Sequence, residues 1–296
     1  MTLIRKIYFK ILSLIPGIKY VRVKLKHLEM FIDVKTPGIS NSLFINKSRE
    51  DDMIFLIKKY LPYKGDIIDC GSNIGFYPLL EERIVKEKRK ILCIEPDPRN
   101  ILLLKKNIET FSYDSNTFEL CSGAVSESNG KMSLDISRAS NLNFISNLKK
   151  QDGEYVEVET FTLDTLIRKF KINPTFLRMD IEGHEVSVFN GAVEWAKESK
   201  LGTTILFETH APLYEKENSL KNSLTPFRQM GFSVKCLVSS GSSGPKIKKK
   251  WGFKDGDKII SDGFLREMFW DVDFDLACEI ASSKPKLTRY MLLIKE

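Results

Sequence analysis

Residues 67–75, IIDCGSNIG, decide the fold of this chain. A short apolar run ends in an acid, a turn with Gly71 and Gly75 follows at once, and the next residues, FYPLLEERIVKEK, have the pattern of a helix. This order is typical of the first strand of an open α/β sheet, where a nucleotide-like ligand binds at the carboxyl end of the strand. The glycines allow a tight turn and close approach of a ligand.

The rest of the chain alternates strand and helix. Further apolar runs flanked by turn residues predict a series of short strands, which with the first lie at 66–70, 90–95, 117–122, 176–180, 203–208, 232–238 and 289–294. Strands that alternate with helices at this spacing indicate an α/β fold, a mostly parallel sheet with helices on both faces.

Two regions lie outside this alternation. We expect residues 1–61 to form an N-terminal cap of a helix and edge strands, and residues 62–296 to form the main domain. Within the domain, residues 239–263 are rich in Gly, Ser and Lys and predict a basic lid loop. Its lysines, with Trp251 and Phe253, either grip an anionic ligand or form a solvated loop.

The first residues, MTLIRKIYFKILSLI, place apolar side chains near helical spacing with basic side chains between them. The favoured expectation is a helix packed on the domain. The alternative is a weak contact with a membrane surface. The apolar run is too short and too charged for a bilayer span, and it lacks the features of a signal peptide.

The composition favours acidic partners without choosing among them. The chain has 296 residues, 42% of them apolar, with a net charge of +7. Phosphorylated sugars, nucleotide-linked substrates, nucleic acid and an anionic membrane face all suit that charge. The five cysteines form no CxxC pair, so we expect reduced structural cysteines in a cytoplasmic protein, peripheral to the inner membrane face if the first helix binds lipid.

Acidic side chains and histidines follow several predicted strands. Glu95 ends the second strand, ahead of Pro96, and is placed to accept hydrogen bonds from the hydroxyls of a ribose. The glycine spacing D-x-G-x-N-x-G differs from the dinucleotide fingerprint, which disfavours a nicotinamide oxidoreductase. Asp180 ends the fourth strand, with His184 shortly after it, and Glu208 ends the fifth, with His210 two residues further on.

Several blocks together resemble the FkbM family of S-adenosylmethionine-dependent methyltransferases. They are IIDCGSNIGFYPLL, ILCIEPDPRNILLLKKNI, CSGAVSESNGKMSL, FTLDTLIRKFKINPTFLRMDIEGHEVSVFNGA and ILFETH. The resemblance implies a Rossmann-like class I methyltransferase fold, with a seven-stranded, mostly parallel sheet and an antiparallel last strand. It also implies O-methyl transfer to a sugar, a glycan or a secondary metabolite. Ser72 and Cys70 replace residues more common in the family, and both are small.

The resemblance assigns cofactor-binding roles by position. Asp69 and the turn that holds Gly71, Ser72, Asn73 and Gly75 would face the methionine end of S-adenosylmethionine. Glu95 and Pro96 would hold the ribose, Ala124 would lie along the adenine, and Asp180 would lie opposite the methyl group.

Methyl transfer to a hydroxyl needs a general base, and Asp180, His184, Glu208 and His210 are the candidates. A divalent metal held by the same side chains is an option that we do not favour, and no residue is assigned as a metal ligand. We expect a hydroxyl-bearing small molecule or glycan as acceptor, and the net positive charge allows an anionic one. The sequence does not predict an oligomeric state.

Other functions remain open. An RNA ribose methyltransferase, or another nucleic-acid methyltransferase, is the alternative, although RMDIEG lacks the motif of enzymes that methylate base amino groups, and nucleic acid is disfavoured as a partner. A scaffold domain that keeps the fold without the reaction is a third hypothesis. The retained acids Asp69, Glu95 and Asp180 argue against it.

Overall fold

The computed structural model describes residues 2–36, 38–85, 87–136, 144–146, 154–215 and 217–296. The helices are α1 Thr2–Leu14, α2 Ile39–Asn46, α3 Asp51–Tyr60, α4 Phe76–Ile84, α5 Pro98–Phe111, α6 Leu163–Phe170, α7 Glu185–Asn190, α8 Val193–Glu198, α9 Leu220–Gln229, α10 Gly244–Trp251 and α11 Phe274–Ala281. The strands are β1 Tyr20–Lys24, β2 Glu29–Asp33, β3 Asp66–Cys70, β4 Ile91–Glu95, β5 Phe118–Ser122, β6 Ala124–Val125, β7 Gly130–Asp135, β8 Phe144–Ser146, β9 Tyr155–Phe161, β10 Pro174–Met179, β11 Thr204–Glu208, β12 Phe232–Ser239, β13 Asp257–Ser261, β14 Phe264–Val272 and β15 Thr288–Lys295.

A large mixed sheet forms the centre of the molecule. Its strand order is β13-β14-β12-β15-β11-β10-β3-β4-β5. The five strands from β11 to β5 are parallel, and β15 runs antiparallel to both of its neighbours, β11 and β12. The predicted α/β class and the antiparallel last strand are confirmed. Each of the seven predicted strands is present, with its ends shifted by no more than two residues.

The sheet is wider than predicted. In the described ranges it has nine strands rather than seven, because β13 and β14 add an antiparallel hairpin beyond β12. The prediction of a lid loop at 239–263 is therefore wrong: the segment contains α10 and β13. Ile247 is the side chain that buries α10 in the core, and Phe253 packs on Phe269 with ring centroids 5.0 Å apart. A single buried apolar residue among lysines gives little helical periodicity.

Two hydrophobic clusters cover the two faces of this sheet. One combines β-strand residues such as Ile68 and Leu177 with α6 to α9 and α11. The other places α4 and α5 against the opposite face and includes Leu12 of α1 and Met30 of β2. The predicted N-terminal cap therefore shares a core with the sheet. Within the described ranges, no helix combines the length and apolar character needed to cross a bilayer.

A second, smaller sheet stands beside the first. Its order is β6-β9-β7-β8, and β7 and β9 pair antiparallel from Gly130 opposite Thr160 to Asp135 opposite Tyr155. All five cysteines are buried and free, in agreement with a structural role. Burial raises the pKa of the Cys121 thiol to about 11, so it stays protonated at neutral pH.

Candidate active site

A cavity of about 370 Å³ opens where the parallel strands end. Its walls come from the residues that follow β3, β4, β5, β10 and β11, the place where open α/β sheets bind ligands. One side, here called the glycine half, holds residues 71–73, Glu95, Pro96 and Ala124. The other side, the charged half, holds Arg49, Arg178, Asp180, Glu182, His184, Glu208, His210, Lys286 and Arg289.

The glycine turn is shaped by close contact between two strand ends. Gly71 has φ +79°, and its amide donates to the carbonyl of Ile94 at 2.9 Å. A Cβ at this position would lie 2.1 Å from the carbonyl oxygen of Asp180. No side chain fits there, so glycine is needed both for the left-handed backbone and for the approach of β10. The Ser72 hydroxyl then donates to the carbonyl of Asp69 at 2.8 Å and fixes the turn.

Glu95 is held rigidly at the end of β4. One carboxylate oxygen accepts from the amide of Asn73 at 2.8 Å, and the other accepts from Asp97 N at 3.0 Å and from Asn100 Nδ2 at 3.1 Å. Burial raises the pKa of Glu95 to about 7, although these three donors oppose the change. A hydroxyl pair that donated to this carboxylate would relieve part of the cost of burying its charge.

Two predicted cofactor contacts lie behind the wall rather than in it. Asp69 is fully buried, and its Oδ1 accepts from Arg178 Nη1 at 2.6 Å. Asp69 does not line the cavity, whereas its partner Arg178 does, and the predicted role of Asp69 at the methionine end of the cofactor stays a prediction. Gly75 begins α4, also outside the lining. A Cβ on it would meet Leu104 of α5 at 2.9 Å, so its role is packing.

The other predicted site residues do face the cavity. They are Gly71, Ser72, Asn73, Glu95, Pro96, Ala124, Asp180, His184, Glu208 and His210.

Arg178 is a functional residue that the sequence analysis missed. It is 1% exposed near the carboxyl end of β10, with its guanidinium 3.6 Å from the centroid of the Tyr77 ring. Its Nη1 pairs with Asp69, and its Nη2 lies 3.4 Å from Asp180 Oδ2. Arg178 therefore joins the buried acid at the end of β3 to the acid at the end of β10. An arginine inside an otherwise apolar strand was the available signal, because a buried charge requires a partner.

A second group of charges joins the start of α3 to the last strand. Glu50 accepts from Tyr77 Oη, Arg49 and Arg289, the last at 2.8 Å. Arg289 also lies 3.4 Å from Glu208, and Lys286 donates to Glu208 at 2.9 Å. Arg49, Lys286 and Arg289 are distant from the acids in sequence, and no local pattern marks them.

His210 is part of a buried relay of polar groups. Its Nδ1 lies 2.9 Å from Glu185 Oε1, and the other oxygen of Glu185 accepts from Tyr214 Oη at 3.0 Å. Burial opposes protonation of the ring, but the charge and hydrogen bond of Glu185 and the charge of Glu208 outweigh it and raise the pKa of His210 to about 9. His210 is protonated at neutral pH, which argues against the prediction that it is the general base.

His184 has the opposite character. Its Nε2 lies 3.1 Å from Ser126 Oγ, and burial lowers the pKa of the ring. The imidazole is therefore neutral near pH 7 and can accept a proton. When Nε2–H donates to Ser126, Nδ1 is the accepting nitrogen.

Glu182 is a further cavity-lining acid, and it is not among the residues predicted from the sequence. It has φ +52°, and its Oε2 lies 3.6 Å from His210 Nε2. Burial and the charge of Asp180 raise the pKa of Glu182 to about 7. The side chain therefore changes charge within the physiological range.

Among the residues that the structure describes, two sets of side chains bring ligand atoms close enough for a metal ion. Asp180, Glu182 and His210 form one, and Glu50, Asp180 and Glu208 form the other, each with its ligand atoms within 4.8 Å of one another. Lysine and arginine already compensate Glu50 and Glu208, as described above. These acids therefore do not need a cation for charge balance.

Parts of this chain are similar in sequence to known proteins. Residues 69–234, which is 166 of the 296, match the model of the methyltransferase FkbM domain. An 85-residue stretch is 33% identical to a probable cobalt-precorrin-6B C(15)-methyltransferase (decarboxylating) of Sulfolobus acidocaldarius. That alignment covers 27% of this chain and 44% of the relative, so the chain spans less than half the length of that curated protein.

Two solved structures illustrate the range of structural similarity. Methyltransferase FkbM from Methylobacillus flagellatus KT is 21% identical over 49% of this chain and 33% of its own, with a TM-score of 0.36. A putative O-methyltransferase from Klebsiella pneumoniae is 8% identical over 84% of this chain and 81% of its own, with a TM-score of 0.42. The family model matches more than half of the chain, and the chain therefore belongs to the FkbM methyltransferase family.

Proposed function

We propose that the protein is an S-adenosylmethionine-dependent O-methyltransferase that acts on a hydroxyl of a sugar, a glycan or a secondary metabolite. The observation that carries the proposal is that one cavity combines the glycine half with a neutral imidazole, His184, and several strand-end carboxylates. A methyl donor and a proton acceptor can therefore meet in one cavity.

The glycine half fits S-adenosylmethionine. The cradle at Gly71 would hold the methionine part, Glu95 would accept from the ribose hydroxyls, and Ala124 would lie along the adenine. The neighbouring wall also carries the carboxylates of Asp180, Glu182 and Glu208, any of which could attract the positively charged sulfonium of the donor. When bound, S-adenosylmethionine supplies a methyl group on a sulfonium sulfur, and transfer to an alcohol oxygen is an in-line displacement that releases a proton.

His184 is the group best suited to take that proton. Its ring is neutral, it lines the cavity, and Ser126 fixes its orientation. Asp180 is less suited, because the Arg178 guanidinium lies 3.4 Å from one of its oxygens and stabilises the carboxylate in its charged form. Protonated His210 would instead donate a hydrogen bond to a substrate oxygen or hold a carboxylate in place.

The charged half also favours an acceptor with an anionic group. Lys286 and Arg289 keep 23% and 24% of their side chains exposed, although both already pair with acids. A carboxylate or phosphate on the acceptor could share these cations.

The test is an acceptor screen with methyl-labelled S-adenosylmethionine over sugars, nucleotide-sugars, lipid-linked glycans and RNA. We expect labelled product from one of the hydroxyl-bearing small-molecule or glycan classes, with the label on oxygen. Label on RNA alone would favour the nucleic-acid alternative. No binding of S-adenosylmethionine in calorimetry would overturn the proposal outright.

The role of His184 has its own test. Replacing His184 with Ala should lower kcat at least about tenfold and leave the Kd of S-adenosylmethionine unchanged, because a general base contributes to the transfer step and not to cofactor binding. His27→Ala is the matched control, since His27 lies near Asp51 and outside the cavity lining. Equal turnover in both variants would exclude His184 as the base.

A further inference from the structure

Helix α1 presents a broad apolar face to solvent. Large apolar side chains on it, or just after it, are between 38% and 72% exposed: Leu3, Ile4, Ile7, Tyr8, Ile11, Leu14 and Ile15. Residues three and four apart lie on the same side of a helix, so this set forms one continuous stripe. Phe9 and Leu12, by contrast, are buried on the inner side. Exposed apolar surface of this extent marks an interaction site.

The helix is fixed with that face outward. Phe9 packs on Phe44 of α2 with ring centroids 5.4 Å apart, and Arg5 Nη1 donates to the carbonyl of Ile45 at 2.9 Å. At the other end, Lys35 Nζ donates to the carbonyls of Ser13 at 2.6 Å and Ile15 at 2.8 Å. Contacts at both ends and in the middle hold α1, so the stripe cannot rotate into the core without breaking them.

The positive charge of residues 2–28 indicates what kind of partner binds the apolar stripe of α1. Residues 2–28 contain seven lysines and arginines and neither aspartate nor glutamate. Within α1, Lys6 and Lys10 are exposed between the apolar stripe and the buried side. An apolar face bordered by lysines is the pattern of a helix that lies in the headgroup region of an anionic bilayer. A symmetric contact with a second copy would bring like charges together, which disfavours that occupant.

The length of α1 agrees with surface binding. Its 13 residues extend about 20 Å at the helical rise, less than the roughly 30 Å hydrocarbon core of a bilayer. A helix of this length can bury one face in the interface without spanning it.

We propose that α1 docks the protein on membranes that contain anionic phospholipid, with its outward apolar stripe in the headgroup region and its lysines on the lipid phosphates. The surface is connected to the cavity through α2: α1 packs on this helix, and Ile39 at its first position lines the cavity. This proposal does not depend on the acceptor or on the reaction.

Vesicle sedimentation with the full chain tests the proposal. We expect at least about tenfold more protein bound to vesicles of equimolar phosphatidylcholine and phosphatidylglycerol than to phosphatidylcholine alone, and less binding at high salt. The triple variant Ile4→Ser, Ile7→Ser, Ile11→Ser should lose at least about tenfold of the binding to the anionic vesicles. Serine and isoleucine have similar helix propensity, so α1 should persist, and circular dichroism checks this.

The matched control removes exposed apolar side chains elsewhere. Tyr63, Leu102 and Leu201 are 89%, 65% and 76% exposed, and none belongs to α1. The variant Tyr63→Ser, Leu102→Ser, Leu201→Ser should bind anionic vesicles as the wild type does. Three outcomes would overturn the proposal: no binding of the wild type to anionic vesicles, unchanged binding of the α1 variant, or equal loss in the control. A wild type that dimerises in solution through α1 and ignores lipid would identify a second copy as the occupant.

Discussion

The glycine half and the charged half of the cavity are built in different ways. The glycine half uses the ends of three successive strands of the domain, β3, β4 and β5, together with their turns, within residues 71–124. The charged half combines Arg49, from before the first strand of the large sheet, with Lys286 just before β15 and Arg289 within it. Local geometry therefore specifies the first wall, and tertiary contacts between distant segments specify the second.

The two halves also differ in the interactions that hold their shape. Backbone amides and a missing Cβ shape the glycine half, so its form depends on few side chains. Paired charges shape the charged half, where each ion depends on its neighbours. A substitution in the first should act on cofactor binding, and one in the second on stability, pH dependence and turnover.

The largest expected effect is that of Gly71→Ala. The new Cβ would meet the carbonyl oxygen of Asp180 at 2.1 Å, at a φ of +79° that disfavours side chains. We expect a loss of more than about 4 kcal/mol in the free energy of S-adenosylmethionine binding, or in that of unfolding if the strands separate. Calorimetry and thermal unfolding measure the two. Gly202→Ala is the control, because Gly202 has φ +81° and open space around it and should lose only about 1 kcal/mol of stability.

The next effect is a loss of stability at high pH that His210 in the charged half should cause. The pKa of His210 rises from 6.5 to about 9 on folding. Its contribution to stability is complete below pH 6.5 and is lost as pH rises to about 9, a change of roughly 3 kcal/mol. Denaturant unfolding at a series of pH values checks this, and His210→Gln should remove most of the loss.

The slope above about pH 7.5 isolates His210. Glu95 and Glu182, with pKa values raised from 4.5 to about 7, lose their own contributions mainly between those values. His27→Gln should keep the wild-type slope. An equally steep loss in His210→Gln would mean that other groups cause it.

Glu95→Gln should weaken S-adenosylmethionine binding by about 2 kcal/mol, roughly thirtyfold, because a charged acceptor of ribose hydrogen bonds becomes neutral. Glu208→Gln makes the same chemical change in the charged half. It should leave the Kd of S-adenosylmethionine within about threefold, because the ribose is assigned to the glycine half. Comparable losses in both variants would abolish the distinction between the two halves.

The smallest expected effect is that of a chelator. Because arginine and lysine already compensate Glu50 and Glu208, we expect EDTA to leave turnover unchanged. A complete loss of activity that Mg²⁺ or Mn²⁺ restores would assign one of the two ligand sets around Asp180 to a metal.

The sequence predicted the parts of the molecule that depend on local pattern. The sequence predicts β3 with its observed ends, 66–70, because Gly65 and Gly71 bound a short, largely apolar run that is typical of a buried strand. The turn at Gly71 and the acid at Glu95 followed from their places after consecutive strands.

Long-range contacts explain most of what was not predicted. β13 is an edge strand with mostly exposed side chains, and its pairing with β14 gives it a place that its own sequence does not indicate. Asp69 was expected in the cavity wall, but the pairing with Arg178 holds it behind the wall. The protonation of His210 depends on Glu185, a contact made only when α7 packs beside the end of β11.

The added hairpin β13–β14 contacts the segment that supplies Arg49 to the charged half. Asp262 in its turn accepts from the amide of Glu50 at 2.9 Å, and Arg266 of β14 pairs with the buried Asp52. These contacts at the outermost edge of the sheet hold the start of α3 and the preceding residues, Arg49 and Glu50, in place. A change of length or sequence at that edge would shift Arg49 and Glu50 beside the charged half and leave the glycine half, on the far side of β10, unchanged. Substrate preference in such a chain can therefore diversify from a place that never touches the substrate.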